Sequence, residues 1–413
     1  MTAEPGSAVG LRPWRFVIAF GIVSLLADVV YEGARSITGP LLASLGASAA
    51  VVGFVTGAGE AAAWGLRLAS GPLADRTGRL WAWTLAGYVI TVVSVPVLGL
   101  AGALGAACAL VVAERVGKAV RSPAKDTLLS HATAATGRGR GFAVHEALDQ
   151  TGALVGPLIV AGVLYATGGD YAPALGVLAA PGIAAVGLLV WLRGRVPDPL
   201  EAYETPVVPR RLPQSGRKGR LPRAFWLYAA FSGTTTSGLA TFGVLSYHLD
   251  TRHLLSPAAV PVLYAGAMLT AGLAALATGF AYDRVGARAV IVLPLLTAAV
   301  PALAFTRHLP SAAVGALLWG AALGVQESTM RAVVADLVPT GRRATAYGVI
   351  AGILGAAGLI GGALTGVLYT VSVPLLVTVV AALQAAALVL LAAARITSRT
   401  RITSGTGTTS GTG

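Results

Sequence analysis

The chain alternates long apolar runs with short clusters of Gly, Pro and Arg, and the runs are close to twenty residues each. A helix rises about 1.5 Å per residue, so a run of that length matches a hydrocarbon core about 30 Å thick. The pattern predicts about twelve spanning helices. In the first half they begin near Phe16, Ala49, Trp81, Gly102, Gly141 and Ala172. In the second half they begin near Ala224, Pro257, Ala289, Ser311, Ala344 and Pro374. The expected fold is an all-α membrane protein of two six-helix bundles, residues 1–193 and 224–395, related by a pseudo-two-fold axis. Residues 194–223 are rich in Pro and Arg without apolar periodicity, as expected of a solvated cytoplasmic linker. Residues 396–413 are mostly Ser, Thr and Gly, with little to bury, and are expected to be a disordered tail.

Composition supports the membrane assignment. Of the 413 residues 55% are hydrophobic and only 11% charged, whereas soluble domains carry charge on about a quarter of theirs. A soluble fold so poor in charge would expose large apolar patches. The net charge of +13 suggests nucleic acid until the basic residues are placed. They fall in alternate loops and tails: Arg12 and Arg15, Arg76 and Arg79, Arg138 and Arg140, Arg284 and Arg288, Arg342 and Arg343, with more in the linker and tail. The other set of loops holds little beyond Arg252 and Arg307. The positive-inside rule then puts both termini and the linker in the cytoplasm, the protein being multi-pass in the inner membrane. This topology accounts for the basic residues without a nucleic-acid partner. The first apolar run lacks a cleavage signal and is expected to remain as a helix. Cys108 is the only cysteine, so no intrachain disulfide or cysteine metal cluster is expected, and no cofactor is implied.

The two halves echo each other. "GPLADRTGR" from Gly71 to Arg79 returns as "GFAYDRVGAR" from Gly279 to Arg288, each after the second helix of its half. Arg121 and Asp126 are matched by Arg331 and Asp336, and "TGALVGPL" from Thr151 loosely by "AGLIGGAL" from Ala357. Weakly similar halves suit a transporter with its site between them. The spacing of Gly71, Leu73, Asp75, Arg76, Gly78 and Arg79 resembles the signature loop of the major facilitator superfamily. That resemblance implies that this loop, with Asp283 and Arg284 in the second copy, latches the halves in the outward-open state. "GALVGPLIVAG" from Gly152 to Gly162 partly resembles the helix-five motif of superfamily antiporters, with Val160 and Ala161 departing from its closing Gly-Gly. Gly152 and Gly156 would also serve plain close packing of helices, and Pro157 a kink. Both readings of this segment stand.

"ERVGKAVRSPAKD", Glu114 to Asp126, brings charge into an apolar helix. Glu114, Lys118, Arg121 and Lys125 share one helical face, and Glu114 lies roughly 18 Å from the helix start. A charge facing lipid there costs about 2.5–3.5 kcal/mol, so the stripe must face water or protein. Lys125 and Asp126 are expected at the interface, where snorkelling suffices. Helix one adds Asp28, Tyr31, Glu32 and Arg35; helix two adds Glu60, Trp64 and Arg67. Helix five sets His145 over Asp149 and Glu146 over Gln150. The second half offers Gln326, Glu327 and Arg331, with a hydroxyl-rich "SGTTTSG" on helix seven. "ERVGK" followed by "HEALDQTGA" is similar to a little-characterised prokaryotic group of the superfamily.

The near-balance of acids and bases suits a buried ion-pair network with binding work at some members. Asp28, Glu32 and Glu60 are candidate proton carriers, because a carboxylate moved between water, a cation and an apolar wall changes its affinity for protons. Tyr31, Arg35, Arg67, Glu114, Arg115, Lys118, Arg121, His145, Glu146, Asp149, Gln150, Gln326 and Glu327 are candidate substrate contacts. Proton-coupled export of a small organic solute by a monomer is the leading expectation. Uptake of a polar or anionic metabolite is the alternative, and a non-transporting sensor a remote one. An enzyme would need reacting groups convergent near a loop, and the loops hold no such constellation. A 7% aromatic share argues against a broad multidrug pocket.

Overall fold

A computed structural model describes residues 11–203, 221–339 and 342–394. The expected tail and most of the linker lie outside these residues. The apolar runs form twelve helical rods. In the first half these are α1 (Pro13–Ser44), α2 (Ala49–Thr77), α3 (Leu80–Gly99), α4 (Leu104–Thr136), α5 (Arg138–Ala166) and α6 (Tyr171–Arg195). A single helical turn, Pro199–Tyr203, follows α6, and Tyr203 donates its hydroxyl to the Leu11 carbonyl at 2.9 Å. The second half has α7 (Arg223–Ser237 continuing as Phe242–Thr251), α8 (Ala259–Val285) and α9 (a 3₁₀ turn Gly286–Ile291, then Val292–Ala304). It ends with α10 (Leu309–Leu337), α11 (Arg343–Val371) and α12 (Val373–Ala393). Among the described residues, α8 and α9 run together as one apolar stretch, Ala259–Ala304, and α4 and α7 are the two rods that contribute to no candidate membrane span. Charges interrupt α4. The chain around Gly238–Thr241 breaks α7, and Trp319 of α10 donates its indole N–H to the freed Ala240 carbonyl at 2.7 Å.

One face of the molecule carries the start of α1, the end of α12 and the exposed Arg76, Arg79, Arg284 and Arg288; we call it the basic face. On the opposite, far face the two halves share one core. Val30, Ile37, Leu41 and Val52 of the first half pack there with Ala240, Val244, Phe305 and Leu376 of the second. α1 meets the second segment of α7 where Gly39 lies against Gly243, and Thr56 of α2 hydrogen-bonds Thr241 at 2.8 Å. Toward the basic face the cores separate. One gathers Phe16, Phe20, Trp81 and Leu128; the other gathers Phe225, Tyr228, Phe231 and Val334. α2 and α11 stay in contact along their length, while α4 and α10 stand apart. The molecule is sealed on the far face and cleft toward the basic face.

Two glycine features have direct physical causes. Gly78 ends α2 in the left-handed region at φ +63°, which lets the chain turn sharply into α3; Gly286 between α8 and α9 also takes a positive φ, +63°, but with an extended ψ of −149°. Gly152 and Gly156 of α5 lie directly on the α1 backbone, where a Cβ at Gly156 would come within 2.8 Å of the Val29 Cα. The expected close helix approach is therefore between α5 and α1.

Candidate functional site

The charged stripe of α4 is interior, as the cost of lipid exposure requires. Glu114, Arg115 and Arg121 are all buried. Their partners form two layers between α1, α2, α3, α4 and α5.

The central layer is built around Glu60. Its carboxylate accepts from Arg35 of α1 at 3.0 Å and lies 3.5 Å from Arg115 of α4, so one acid holds two cations from two helices. Arg35 is also 3.8 Å from Glu32, one helical turn away, and Arg115 Nε is 3.2 Å from Glu114. The other Glu114 oxygen is buried without a hydrogen-bond partner among the described residues. Beside it lies a small cavity, about 20 Å³, bounded by Arg35, Glu60, Glu114, Arg115, Thr56 and Thr241 and large enough for about one water. Tyr31 is the hub of the layer's cations. Arg115 donates to its hydroxyl, the Arg115 guanidinium lies 4.5 Å from its ring centre, and Lys118 Nζ lies 3.8 Å from that centre. Cation–π contacts of this kind contribute about 2 kcal/mol when shielded from water.

The second half closes this layer with residues that carry no charge. Tyr264 of α8 donates its hydroxyl to Glu32, and Trp319 of α10 offers its ring to Arg35 at 5.9 Å. Neither was among the expected site residues. Both sit in apolar runs where an aromatic attracts no notice, and their orientation depends on helix rotation that local spacing does not encode.

The second layer lies nearer the basic face. Arg121 is 3.9 Å from Asp28, donates to Thr91 at 3.1 Å and covers the Tyr88 ring at 4.7 Å. Lys125 is 3.8 Å from Asp149 and 3.5 Å from the Ser24 hydroxyl. This corrects the expectation for Lys125: it does not snorkel, because α1 and α5 present polar partners at its level, and only Asp126 is exposed. His145 joins Ser24 at 2.8 Å to Asp149 at 3.8 Å. The order Ser, His, Asp is that of a hydrolytic triad, but Ser24 is 2% exposed and its hydroxyl is enclosed by Tyr88, His145 and Lys125.

Other candidates are placed less centrally. The α2 helix is interrupted at Leu66, and just beyond it the Arg67 guanidinium lies over the Trp64 ring at 4.9 Å. Gln150 donates to Glu146 at 3.2 Å, and both are exposed. Gln326 is buried and accepts from Thr236 at 3.5 Å, while its neighbour Glu327 is exposed at mid-helix, acted on by Lys118, Glu146, Arg35 and Glu32. The Arg331 side chain lies outside the described residues. Gly71 of the signature loop lies against Pro123 of α4. Asp75, Arg76, Arg79, Asp283 and Arg284 are exposed, and among the described residues they form no ion pair with the opposite half. In this conformation the loops are disengaged. Among the described residues no cluster of His, Cys, Asp and Glu is arranged to hold a metal ion.

Comparison with known proteins places this architecture. An uncharacterized protein of Mycobacterium tuberculosis is 63% identical over 92% of this chain and 93% of its own length. An uncharacterized MFS-type transporter of Methanocaldococcus jannaschii is 25% identical over 86% of this chain and 89% of its own. Among solved structures, the nucleoside transporter NupG superposes with a TM-score of 0.68 at 15% identity. The match covers 92% of this chain and 98% of that one, and it speaks to fold alone. The family model described as Major Facilitator Superfamily matches residues 20–255 and 242–410. Two six-helix bundles are consistent with that match. The chain belongs to the Major Facilitator Superfamily.

Proposed function

We propose that this secondary transporter exports a small organic solute in exchange for protons, as a monomer in the inner membrane. Its termini and linker, residues 194–223, lie in the cytoplasm, so the crevice opens inward. The bundles 1–193 and 224–395 rock about the shared far-face core, and no catalytic chemistry is involved.

The observation that carries the proton-coupled reading is the placement of Glu60 between Arg35 and Arg115. Protonating Glu60 releases two cations at once, on two different helices, and frees both to bind an anionic group of the solute in the crevice between the bundles. Glu32, which accepts from Tyr264 of the opposite half, and Asp28, which lies beside Arg121, would pass the same proton toward either face. Gly152 and Gly156, packed on α1, favour exchange over uptake through the antiporter-like segment they belong to. Asp75, Arg76, Arg79, Asp283 and Arg284 would latch the basic face once the crevice closes there, with Gly71 and Gly78 shaping the loop. Uptake of an anionic metabolite is the second reading, favoured by Lys118, an ammonium on the Tyr31 ring with no ion pair among the described residues.

The test is solute-dependent proton movement in proteoliposomes loaded with a pH-sensitive dye. A panel of organic anions, cations and dipolar solutes is supplied under an imposed pH gradient. Export by exchange requires protons to move against the solute; movement with the solute supports uptake, and solute flux indifferent to the gradient removes the proton from the account.

A further inference from the structure

Lys118 of α4 and Glu327 of α10 belong to opposite halves, and Lys118 is first among the charges that act on Glu327. The axis that relates Arg121 to Arg331 and Asp126 to Asp336 relates Lys118 to Ser328, the neighbour of Glu327. The two charges therefore stand at nearly the same depth on the paired helices α4 and α10, which do not pack together in this conformation. Most charges of the two layers are committed: Arg35 and Arg115 to Glu60, Arg121 to Asp28, Lys125 to Asp149. Lys118 lies over the face of Tyr31 with Glu32 and Asp28 as its nearest acidic influences but no ion pair to either among the described residues, and Glu327 is exposed. Among the described residues neither forms an ion pair, although Lys118 is the foremost charge acting on Glu327.

An ammonium and a carboxylate kept apart across a wet cleft make a complementary pair of sockets. A simple anion can satisfy only the first, and a simple amine only the second. A solute bearing both charges satisfies both, bridges α4 to α10, and thereby draws the basic face closed, which is the step that alternating access needs after loading. We propose that the transported solute is a small zwitterion, its carboxylate held by Lys118 and its ammonium by Glu327. The proposal rests on the transporter reading above and adds the substrate class.

The experiment uses the full-length protein in nanodiscs and reads apparent affinity from thermal unfolding. The probes are unbranched ω-amino acids from glycine to 8-aminooctanoate, compared with hexanoate and hexylamine. The expected result is stabilisation that peaks at one chain length, with hexanoate and hexylamine at least 10-fold weaker. Lys118→Gln and Glu327→Gln should each lose 10-fold or more, and the exchanged double variant, Lys118→Glu with Glu327→Lys, should regain binding because a zwitterion can enter reversed. Hexanoate or hexylamine binding as tightly as the best amino acid, single variants that bind as wild type, or no stabilisation by any ω-amino acid would each overturn the proposal. If only the substrate class is wrong, hexanoate or hexylamine still drives proton movement in the dye-loaded vesicles; if the transporter reading is wrong, no solute does.

Discussion

Tyr264 of α8 donates its hydroxyl to Glu32 of α1, and this bond joins the halves in the middle of the bundle. A hydrogen bond to a charged group contributes about 1.5–3 kcal/mol. Tyr264→Phe keeps the ring and removes the donor, leaving Glu32 with Arg35 at 3.8 Å. The population with an open far face should rise about tenfold, which corresponds to about 1.4 kcal/mol. Spin-label distances across the far ends of α1 and α7 would show it; an unchanged distribution means the bond carries no conformational weight.

Glu60 is predicted to be required for the response to pH. Glu60→Gln leaves Arg35 and Arg115 facing a neutral amide. The cost of orphaning such cations is about 3 kcal/mol or less, since Glu60 is partly open to water. Insertion should survive, whereas solute movement should stop responding to an imposed pH gradient. Retained proton coupling in this variant would remove Glu60 from the mechanism.

Close packing of α5 on α1 is predicted to be sensitive to a single methyl. Gly156→Ala forces its Cβ into the Val29 backbone, an overpacking that costs about 1–3 kcal/mol. Gly162, on the same helix with open space around it, should tolerate Ala within about 0.5 kcal/mol. Thermal unfolding of the two variants side by side decides the point; equal losses would mean that contact with α1 is not what position 156 is for.

The far-face seal is predicted to depend on Gly39. A side chain there meets the Gly243 carbonyl, the Ser246 hydroxyl and, at 2.7 Å, the Tyr247 amide of the opposite half. Gly39→Val should hold the far face open and expose a cysteine introduced on the far face, in a Cys108→Ala background, to hydrophilic thiol reagents. Wild-type protection in that variant would show that the halves close by another contact.

What the sequence made legible was local. Helix starts fell within a few residues of expectation, because an apolar run must fill the bilayer whatever packs on it. Pairs within one helix, Glu146 with Gln150 and His145 with Asp149, followed from 3.6-residue periodicity. Ties between helices were not legible. Ser24 to His145, Trp319 to Arg35 and Tyr264 to Glu32 depend on how each rod is rotated about its axis. Lys125 was misjudged for the same reason, since its depth was readable and its neighbours on α1 and α5 were not.

Everything above requires that the polar face of α4 open onto water rather than acyl chains. Its most direct test is a single cysteine at position 118, with Cys108 replaced by Ala, in vesicles presenting the basic face to a membrane-impermeant thiol reagent. The account predicts rapid labelling that slows when the basic face is cross-linked shut. A thiol there that reacts with lipid-soluble maleimides alone, or with no reagent in any conformation, would contradict it.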